Sequence, residues 1–229
     1  MKGIQPVFVH GWGFGPDFWA PVISALGWTD ACVLDLGFLG AGNASPLQAA
    51  QQLQALQAEG RPVLGVGHSL GFLWLAQHMA FASRDKLVGI NAFAVFAARA
   101  GFASGVPVRV MQRMCKGLST APEKVLTDFR TLCGAQVAAE PPQTQNLCTG
   151  LEMLMSADAR PVLAGRARQC VVLAARQDPV VSPAMTEESF VGGPPVQWMD
   201  GGHLLPHTHV KACVALLEGV RKMMEQNAG

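Results

Sequence analysis

The chain has 229 residues, of which 50% are hydrophobic and 14% are charged, and its formal net charge is +1. Such a length and composition are typical of one globular domain with a sizeable core, and the small net charge gives no general electrostatic reason to bind nucleic acid. No apolar run approaches the roughly 20 residues that span a bilayer, so we expect no membrane span.

Six cysteines occur without a Cys-x-x-Cys pair, and several of them lie inside apolar runs. Buried, reduced thiols are typical of proteins that remain in a reducing compartment. We therefore expect a cytoplasmic protein, and we also expect it to be a monomer.

Short apolar runs typical of buried strands recur along the chain, with helical patterns between most of them. The strand-like runs are 7–10, 31–36, 62–66, 87–90, 170–175 and 196–199. The helical patterns are 47–59, 70–82, 108–118, 144–155, a short segment near Thr186, and 211–225. Apolar strands that alternate with helices predict a mostly parallel sheet covered by helices on both faces, which is the α/β class.

The interval 106–160 interrupts this alternation, because it contains helical patterns and no convincing strand. Within it, Thr120-Ala121-Pro122-Glu123 has the pattern of a capping box and predicts the start of a further helix. A helical insertion between two strands of an α/β sheet is typical of a lid over an active site. We therefore expect a core formed by residues 1–105 and 161–229, and a helical lid formed by residues 106–160.

The segment Gly67-His68-Ser69-Leu70-Gly71 lies between a strand-like run and a helical pattern, which is the context of a nucleophile elbow. The glycines matter because a side chain at position 67 or 71 would collide with neighbouring backbone in so tight a turn. The turn exposes the Ser69 hydroxyl and directs the Leu70 backbone N–H towards a developing oxyanion. We predict that Ser69 is a nucleophile and that Leu70 is one donor of its oxyanion hole.

A serine hydroxyl needs a base, and the base needs a carboxylate to orient it. Asp178 follows the fifth strand-like run and His203 follows the sixth, so both are expected at the same sheet edge as Ser69. We predict that Ser69, Asp178 and His203 form a catalytic triad. Asp200, close to His203 in sequence, and Asp158, ahead of the fifth run, stay open as alternatives for the acid.

His203, His207 and His209 have the spacing H-x3-H-x-H, which superficially resembles a set of metal ligands. The segment offers no carboxylate or thiolate at a useful offset, and Pro206 interrupts the helical register. We therefore expect no metal site there, and a Ser-His-Asp mechanism requires no organic cofactor.

The segment His10-Gly11-Trp12-Gly13 directly follows the first strand-like run. Glycines on both sides of Trp12 allow the backbone to bend so that its N–H faces the oxyanion beside that of Leu70, and one such donor lowers the barrier by about 3 kcal/mol. The Trp12 ring is also predicted to line the substrate pocket, with the alternative that it only anchors a glycine loop in the core.

These motifs resemble those of α/β-hydrolases, and among them the pimeloyl-[acyl-carrier protein] methyl ester carboxylesterases of biotin synthesis, over nearly the whole chain. The resemblance rests on His10-Gly11-Trp12-Gly13, Gly67-His68-Ser69-Leu70-Gly71, Gly150-Leu151-Glu152-Met153-Leu154, Asp178-Pro179-Val180-Val181 and Gly202-His203. It implies an α/β-hydrolase fold with a helical lid and a serine carboxylesterase activity. Because the chain begins almost directly at the first strand, we expect the leading hairpin of this fold to be missing.

The resemblance further implies hydrolysis of the methyl ester of a pimeloyl chain attached to acyl carrier protein, through an acyl-enzyme. Met111, Met114 and Phe129 would hold the chain together with Trp12. Acyl carrier proteins are acidic, and cations of the lid would receive them, with a solvated helix face as the alternative. These cations are Arg109, Arg113, Lys116, Lys124 and Arg130. A generalist short-chain carboxylesterase, a thioesterase or lyase, and a non-catalytic ligand-binding protein of the same fold stay open.

Overall fold

The structure is a computed structural model that describes residues 3–226. One sheet contains six strands in the order β2-β1-β3-β4-β5-β6, and every neighbouring pair is parallel. The strands are β1 (Gln5–Val9), β2 (Cys32–Leu34), β3 (Val63–His68), β4 (Lys86–Ile90), β5 (Cys170–Ala175) and β6 (Val196–Met199). The predicted parallel sheet is confirmed, and within residues 3–226 no strand precedes β1.

Helices cover both faces of this sheet. The helices are α1 (Ala20–Leu26), α2 (Pro46–Ala58), α3 (Leu70–His78), α4 (Val108–Leu118), α5 (Pro122–Cys133), α6 (Thr144–Ser156), α7 (Arg160–Ala164), α8 (Pro183–Ser189), α9 (Leu205–Thr208) and α10 (Val210–Gln226), with 3-10 turns at Pro16–Trp19 and Ala167–Gln169. Successive strand side chains point to opposite faces. Val7 and Val9 therefore join the core layer that contains α2 and α3, whereas Phe8 joins the layer that contains α1 and α10.

The register brings the ends of the central strands together. Val9 of β1 lies opposite Gly67 of β3, and Gly67 lies opposite Gly89 of β4. The carboxyl ends of parallel strands share one edge of a sheet, which is where open α/β folds bind ligands. The loops that follow β1, β3 and β4 therefore leave the sheet side by side.

Local signals predict some helix ends correctly and miss others. Ser45 caps α2, because its hydroxyl accepts a hydrogen bond from the Gln48 N–H over 3.3 Å. The predicted capping box at Thr120 is wrong, since no side chain caps α5. The Thr120 N–H instead donates to Gly117 O at the end of α4, over 3.1 Å, and Pro122 starts α5 because its missing N–H needs no partner there.

The helix after Ser69 is shorter than predicted. It ends at His78 rather than at residue 82, because Met79 adopts an extended conformation. Hydrogen bonds with another helix, α2, hold the segment that follows His78. The Gln57 side chain accepts from the Ala80 N–H over 3.3 Å and donates to the Ala80 carbonyl over 3.1 Å.

Three helices, α4, α5 and α6, lie within the interval 106–160, between β4 and β5, and are called the lid helices below. Their treatment as a separate lid stays a prediction. Within residues 3–226, no helix is both long and apolar enough to cross a membrane.

Candidate active site

Ser69 occupies a strained turn between β3 and α3, with φ of 53° and ψ of −122°. A positive φ is unfavourable for a residue other than glycine, and such strain is found at functional sites. A Cβ atom on Gly67 would lie 2.3 Å from the Phe72 backbone N, and one on Gly71 would lie 2.3 Å from Val9 O. Because these neighbours are backbone atoms that cannot move aside, the predicted need for both glycines is confirmed.

Asp178 and His203 form a buried pair, in which His203 Nδ1 lies 2.8 Å from Asp178 Oδ2 and each side chain is 1% exposed. The other carboxylate oxygen accepts the N–H groups of Val180 and Val181 over 2.8 and 2.9 Å. A ring nitrogen that faces a carboxylate is the donor, which leaves Nε2 as an acceptor. This Nε2 is buried and has no hydrogen-bond partner among the described residues, so it is free to accept a hydrogen bond.

The alternatives for these roles lie elsewhere. Asp200 is exposed and accepts a hydrogen bond from Gln177 over 3.2 Å. Asp158 is held by Arg160, with a shortest distance of 2.6 Å, and this ion pair lowers the pKa of its carboxyl group. No group of three or more His, Cys, Asp or Glu side chains in the described part of the chain could hold a metal ion.

The loop of residues 10–14, called the oxyanion loop below after its predicted role, packs against the lid helices. The Trp12 ring is buried, its Nε1–H donates to Leu147 O over 2.8 Å, and it forms a T-shaped contact with the Phe129 ring at 4.8 Å between centroids. Leu70 is the first residue of α3, so its N–H has no partner within the helix. The Trp12 ring thus anchors the loop against the lid helices.

One cavity of about 230 Å³ adjoins Ser69. Trp12, Met111, Met114 and Phe129, which the sequence assigned to substrate binding, all line it together with Ser69 and Leu70. Residues that the sequence did not assign to substrate binding complete its walls: Phe93, Phe96, Val106, Val110, Leu132, Leu151, Leu154, Pro179 and Val180. None of these described lining residues carries a charge, so the cavity suits an uncharged, apolar chain.

Two buried side chains that the sequence reasoning missed hold the loop of His203. His68 Nε2 donates to the His203 carbonyl over 2.8 Å, and Asn91 Nδ2 donates to the Gly202 carbonyl over 2.8 Å. Asn91 directly follows β4 and has a φ of 48°. Its position at the carboxyl end of a strand, like that of Asp178, is the signal that could have identified it.

The environment of His68 keeps its ring uncharged. Burial lowers the pKa of His68 well below its usual value, and the nearby His203 lowers it further. The two rings are 4.6 Å apart between centroids, and Phe18 covers His68 at 4.4 Å. A neutral His68 places no positive charge beside His203.

The five predicted carrier-binding cations occupy different environments. Arg109, Arg113 and Lys116 are exposed on α4. Lys124 is exposed on α5 and pairs with Asp128 at 2.8 Å. Arg130 is partly buried and donates to the Gly13 carbonyl over 2.9 Å, so it faces the oxyanion loop.

The histidines of the H-x3-H-x-H segment separate in space. His207 lies against Phe18, with 4.8 Å between ring centroids. His209 Nδ1 lies 2.9 Å from the Thr208 hydroxyl. His203, by contrast, faces Asp178, so the three rings do not converge on one point.

A six-stranded parallel sheet with a strained serine after β3 and an Asp–His pair in the loops after β5 and β6 defines an α/β-hydrolase architecture. Residues 7–216 match the model of the alpha/beta hydrolase family, and the chain belongs to that family. A similar fold is found in an esterase from Exiguobacterium antarcticum, with a TM-score of 0.77 and 15% identity over 97% of this chain and 93% of that chain. A bromoperoxidase from Bacillus anthracis also has a similar fold, with a TM-score of 0.77 and 19% identity over 96% of this chain and 92% of that chain. At such identities the likeness shows the fold alone.

Two curated proteins are related in sequence. A pimeloyl-[acyl-carrier protein] methyl ester esterase from Vibrio vulnificus is 30% identical over 182 residues, which cover 69% of this chain and 70% of that protein. A biotin biosynthesis bifunctional protein, BioHC, from Saccharophagus degradans is 29% identical over 136 residues, which cover 55% of this chain. The matched segment is 24% of the bifunctional protein, so the chain spans about a quarter of that relative.

Proposed function

We propose that the protein is a serine carboxylesterase that hydrolyses the methyl ester of a pimeloyl chain attached to acyl carrier protein. The observation that carries the chemistry is the buried Asp178–His203 pair, at 2.8 Å, at the sheet edge where Ser69 holds its strained turn. The substrate is proposed from the relatives, one of which is a pimeloyl-[acyl-carrier protein] methyl ester esterase.

In the acylation step, His203 Nε2 accepts the proton of Ser69 Oγ as that oxygen attacks the ester carbonyl carbon. Asp178 holds the opposite ring nitrogen and stabilises the imidazolium that forms. The carbonyl oxygen gains negative charge, which the N–H groups of Trp12 and Leu70 stabilise. His203 then gives the proton to the methoxy oxygen, methanol leaves, and the acyl group remains on Ser69.

Deacylation uses the same groups in reverse. His203 accepts a proton from water, the resulting hydroxide oxygen attacks the acyl carbon, and the oxyanion forms again beside the two N–H groups. Collapse of this intermediate releases the carboxylic acid, and the proton returns through His203 to Ser69 Oγ. No metal or organic cofactor takes part in these steps.

The apolar cavity and the lid cations support a carrier-borne acyl substrate. The methylene chain fits a cavity lined by Met111, Met114 and Phe129, because flexible methionines adapt to such a chain. The exposed Arg109 and Arg113 on α4 would attract an acidic carrier, which speeds encounter and sets orientation more than it adds affinity.

The test compares hydrolysis of pimeloyl-carrier methyl ester with that of free p-nitrophenyl butyrate. Ser69→Ala should lower kcat for both by at least about 10³-fold. Replacing Arg109 and Arg113 by alanine should raise KM about tenfold for the carrier-bound ester only. Added salt should likewise raise the KM of the wild-type enzyme for that ester. Arg84→Ala is the matched control, because Arg84 is exposed and precedes the amino end of β4, away from the site.

Two results would reject parts of this proposal. Full activity of the Ser69→Ala enzyme would reject the serine mechanism. The role of the α4 cations would be rejected if the double arginine replacement raised KM equally for both esters. It would also be rejected if Arg84→Ala raised KM for the carrier-bound ester as much as the double replacement does.

A generalist short-chain carboxylesterase is the second candidate function, and one observation favours it. The cavity beside Ser69 is small, about 230 Å³, and the described residues that line it present no charge for a carrier-linked group. The same comparison of substrates decides between the two functions, because a generalist would turn over the free aryl ester at least as well as the carrier-bound ester.

A further inference from the structure

Helix α5 lies directly on the oxyanion loop. Gly13 has a φ of +74°, and a Cβ atom there would lie 3.0 Å from Leu126 Cδ1 and 3.3 Å from Phe129 Cδ1. Phe129 also forms a T-shaped contact with the Trp12 ring, at 4.8 Å between centroids and 88° between ring planes. The loop and this lid helix are therefore in tight contact, so that the position of one constrains the other.

Arg130 of α5 contacts the same loop. Its Nη1–H donates to the Gly13 carbonyl over 2.9 Å, and its Nε–H donates to the Gln136 carbonyl over 2.7 Å. The guanidinium carbon lies 4.7 Å from the centroid of the Phe14 ring, a cation–π contact. Three contacts in different directions hold the planar group in one orientation.

The hydrogen bond of Arg130 with the Gly13 carbonyl affects the orientation of the Trp12 N–H through two peptide planes. In a trans peptide the C=O and N–H point in opposite directions, so a Gly13 carbonyl directed at Arg130 directs the Phe14 N–H the other way. That N–H donates to Gly11 O over 3.4 Å. The Trp12 N–H belongs to the same peptide plane as Gly11 O, so with Gly11 O held on that side the Trp12 N–H points to the opposite side.

We propose that Arg130 is a positioning residue, which sets the direction of the Trp12 N–H by holding the Gly13 carbonyl, and that it is not a contact for the carrier protein. This inference rests on the proposed function, since it takes the Trp12 N–H as a donor to the oxyanion. It makes the oxyanion hole dependent on α5, so that displacement of this helix would also disorganise the hole.

The test uses the full-length chain and free p-nitrophenyl butyrate, a substrate without any protein that a cation could contact. Arg130→Met should lower kcat about tenfold, because a misdirected donor costs part of the 10²–10³-fold effect of a lost one, while KM stays within about twofold. Arg84→Met is the matched control. It makes the same replacement at an exposed position that precedes β4, away from the site, and both constants should stay within about twofold.

A second readout isolates the oxyanion hole from general stability. An alkyl trifluoromethyl ketone is an inhibitor that mimics the tetrahedral intermediate. Ser69 Oγ adds to its carbonyl carbon, and the charged oxygen that forms lies beside the two N–H donors. Its inhibition constant should rise by the factor by which kcat falls. Arg130→Lys keeps a donor but not the planar fork, so it should recover part of the loss, and it serves as the test variant if Arg130→Met does not fold.

The results that would overturn the inference are distinct from those that would reject the proposed function. A lower Tm with unchanged kcat and inhibition constant would show a structural role only. A loss confined to the carrier-bound ester would make Arg130 a carrier contact. An inactive Ser69→Ala enzyme beside an unaffected Arg130→Met enzyme rejects only the role of Arg130, whereas an active Ser69→Ala enzyme rejects the esterase mechanism itself.

Discussion

His68 Nε2 donates a hydrogen bond to the backbone carbonyl of His203 over 2.8 Å, and the two imidazole rings lie 4.6 Å apart. His68 immediately precedes the candidate nucleophile Ser69, and His203 is the candidate base. One hydrogen bond therefore joins the turn that presents the nucleophile to the loop that presents the base. Since the bond goes to backbone, it positions His203 without competing for the ring nitrogens.

Removing this hydrogen bond should impair catalysis more than binding. We expect His68→Phe to lower kcat at least about tenfold with KM within about twofold, because small displacements of a catalytic base are costly. His68→Gln can place an amide N–H near the original Nε2 and should recover most of the rate. Steady-state kinetics on a free aryl ester provide the measurement, and equal losses in both variants would assign the effect to packing instead.

The buried His68 should also make stability depend on pH. Its pKa in the folded protein lies well below the value of about 6.5 expected in the unfolded chain. Between these values the unfolded chain binds more protons, so stability rises with pH. The contribution of His68 to the free energy of unfolding is complete above about pH 6.5. It is lost as the pH falls below that value, by up to about 1.4 kcal/mol per pH unit.

Urea unfolding of the wild type and of His68→Gln between pH 5 and 7.5 isolates this contribution. The pKa of His207 is also lowered, by its burial, but His207 is present in both proteins and cancels in the difference. A difference in unfolding free energy that does not change with pH would contradict the prediction.

Asp178→Asn should abolish most activity while the fold remains. Asp178 accepts from His203 Nδ1 over 2.8 Å, whereas an amide there can present a donor and favour the wrong tautomer of the ring. In serine proteases this change costs about 10⁴ in kcat. Asp200→Asn is the control, because Asp200 is exposed and contacts Gln177. A comparable loss in the control, or none in Asp178→Asn, would remove Asp178 from the triad.

Met111 should limit the length of the acyl chain. Its side chain lines the cavity beside Ser69 and is 1% exposed, so Met111→Ala enlarges the cavity and lowers the free energy of unfolding by about 2–5 kcal/mol. We expect kcat/KM for p-nitrophenyl esters of two to ten carbons to peak at a longer chain than in the wild type. Met223→Ala, at a position 51% exposed on α10, should change neither quantity.

The sheet and the three candidate catalytic positions could be predicted because their signals are local and ordered. Each of Ser69, Asp178 and His203 lies within four residues of the end of an apolar run, and the carboxyl ends of parallel strands meet at one edge. The predicted fold is confirmed, whereas the triad stays a prediction. The end of α3 was missed, because contacts of Gln57 with Ala80 stop the helix where local propensity would extend it.

By itself, the sequence determined the class of fold, the order of the elements and the glycines that the Ser69 turn requires, since backbone geometry and hydrophobic periodicity act over a few residues. Only the tertiary structure decided which side chains hold the loops in place. Asn91 bonds to Gly202, 111 positions away, and Arg130 bonds to Gly13, 117 positions away. The helical pattern that placed Arg130 among the surface cations carries no information about the loop that packs on α5, and it is this packing that turns the side chain inward.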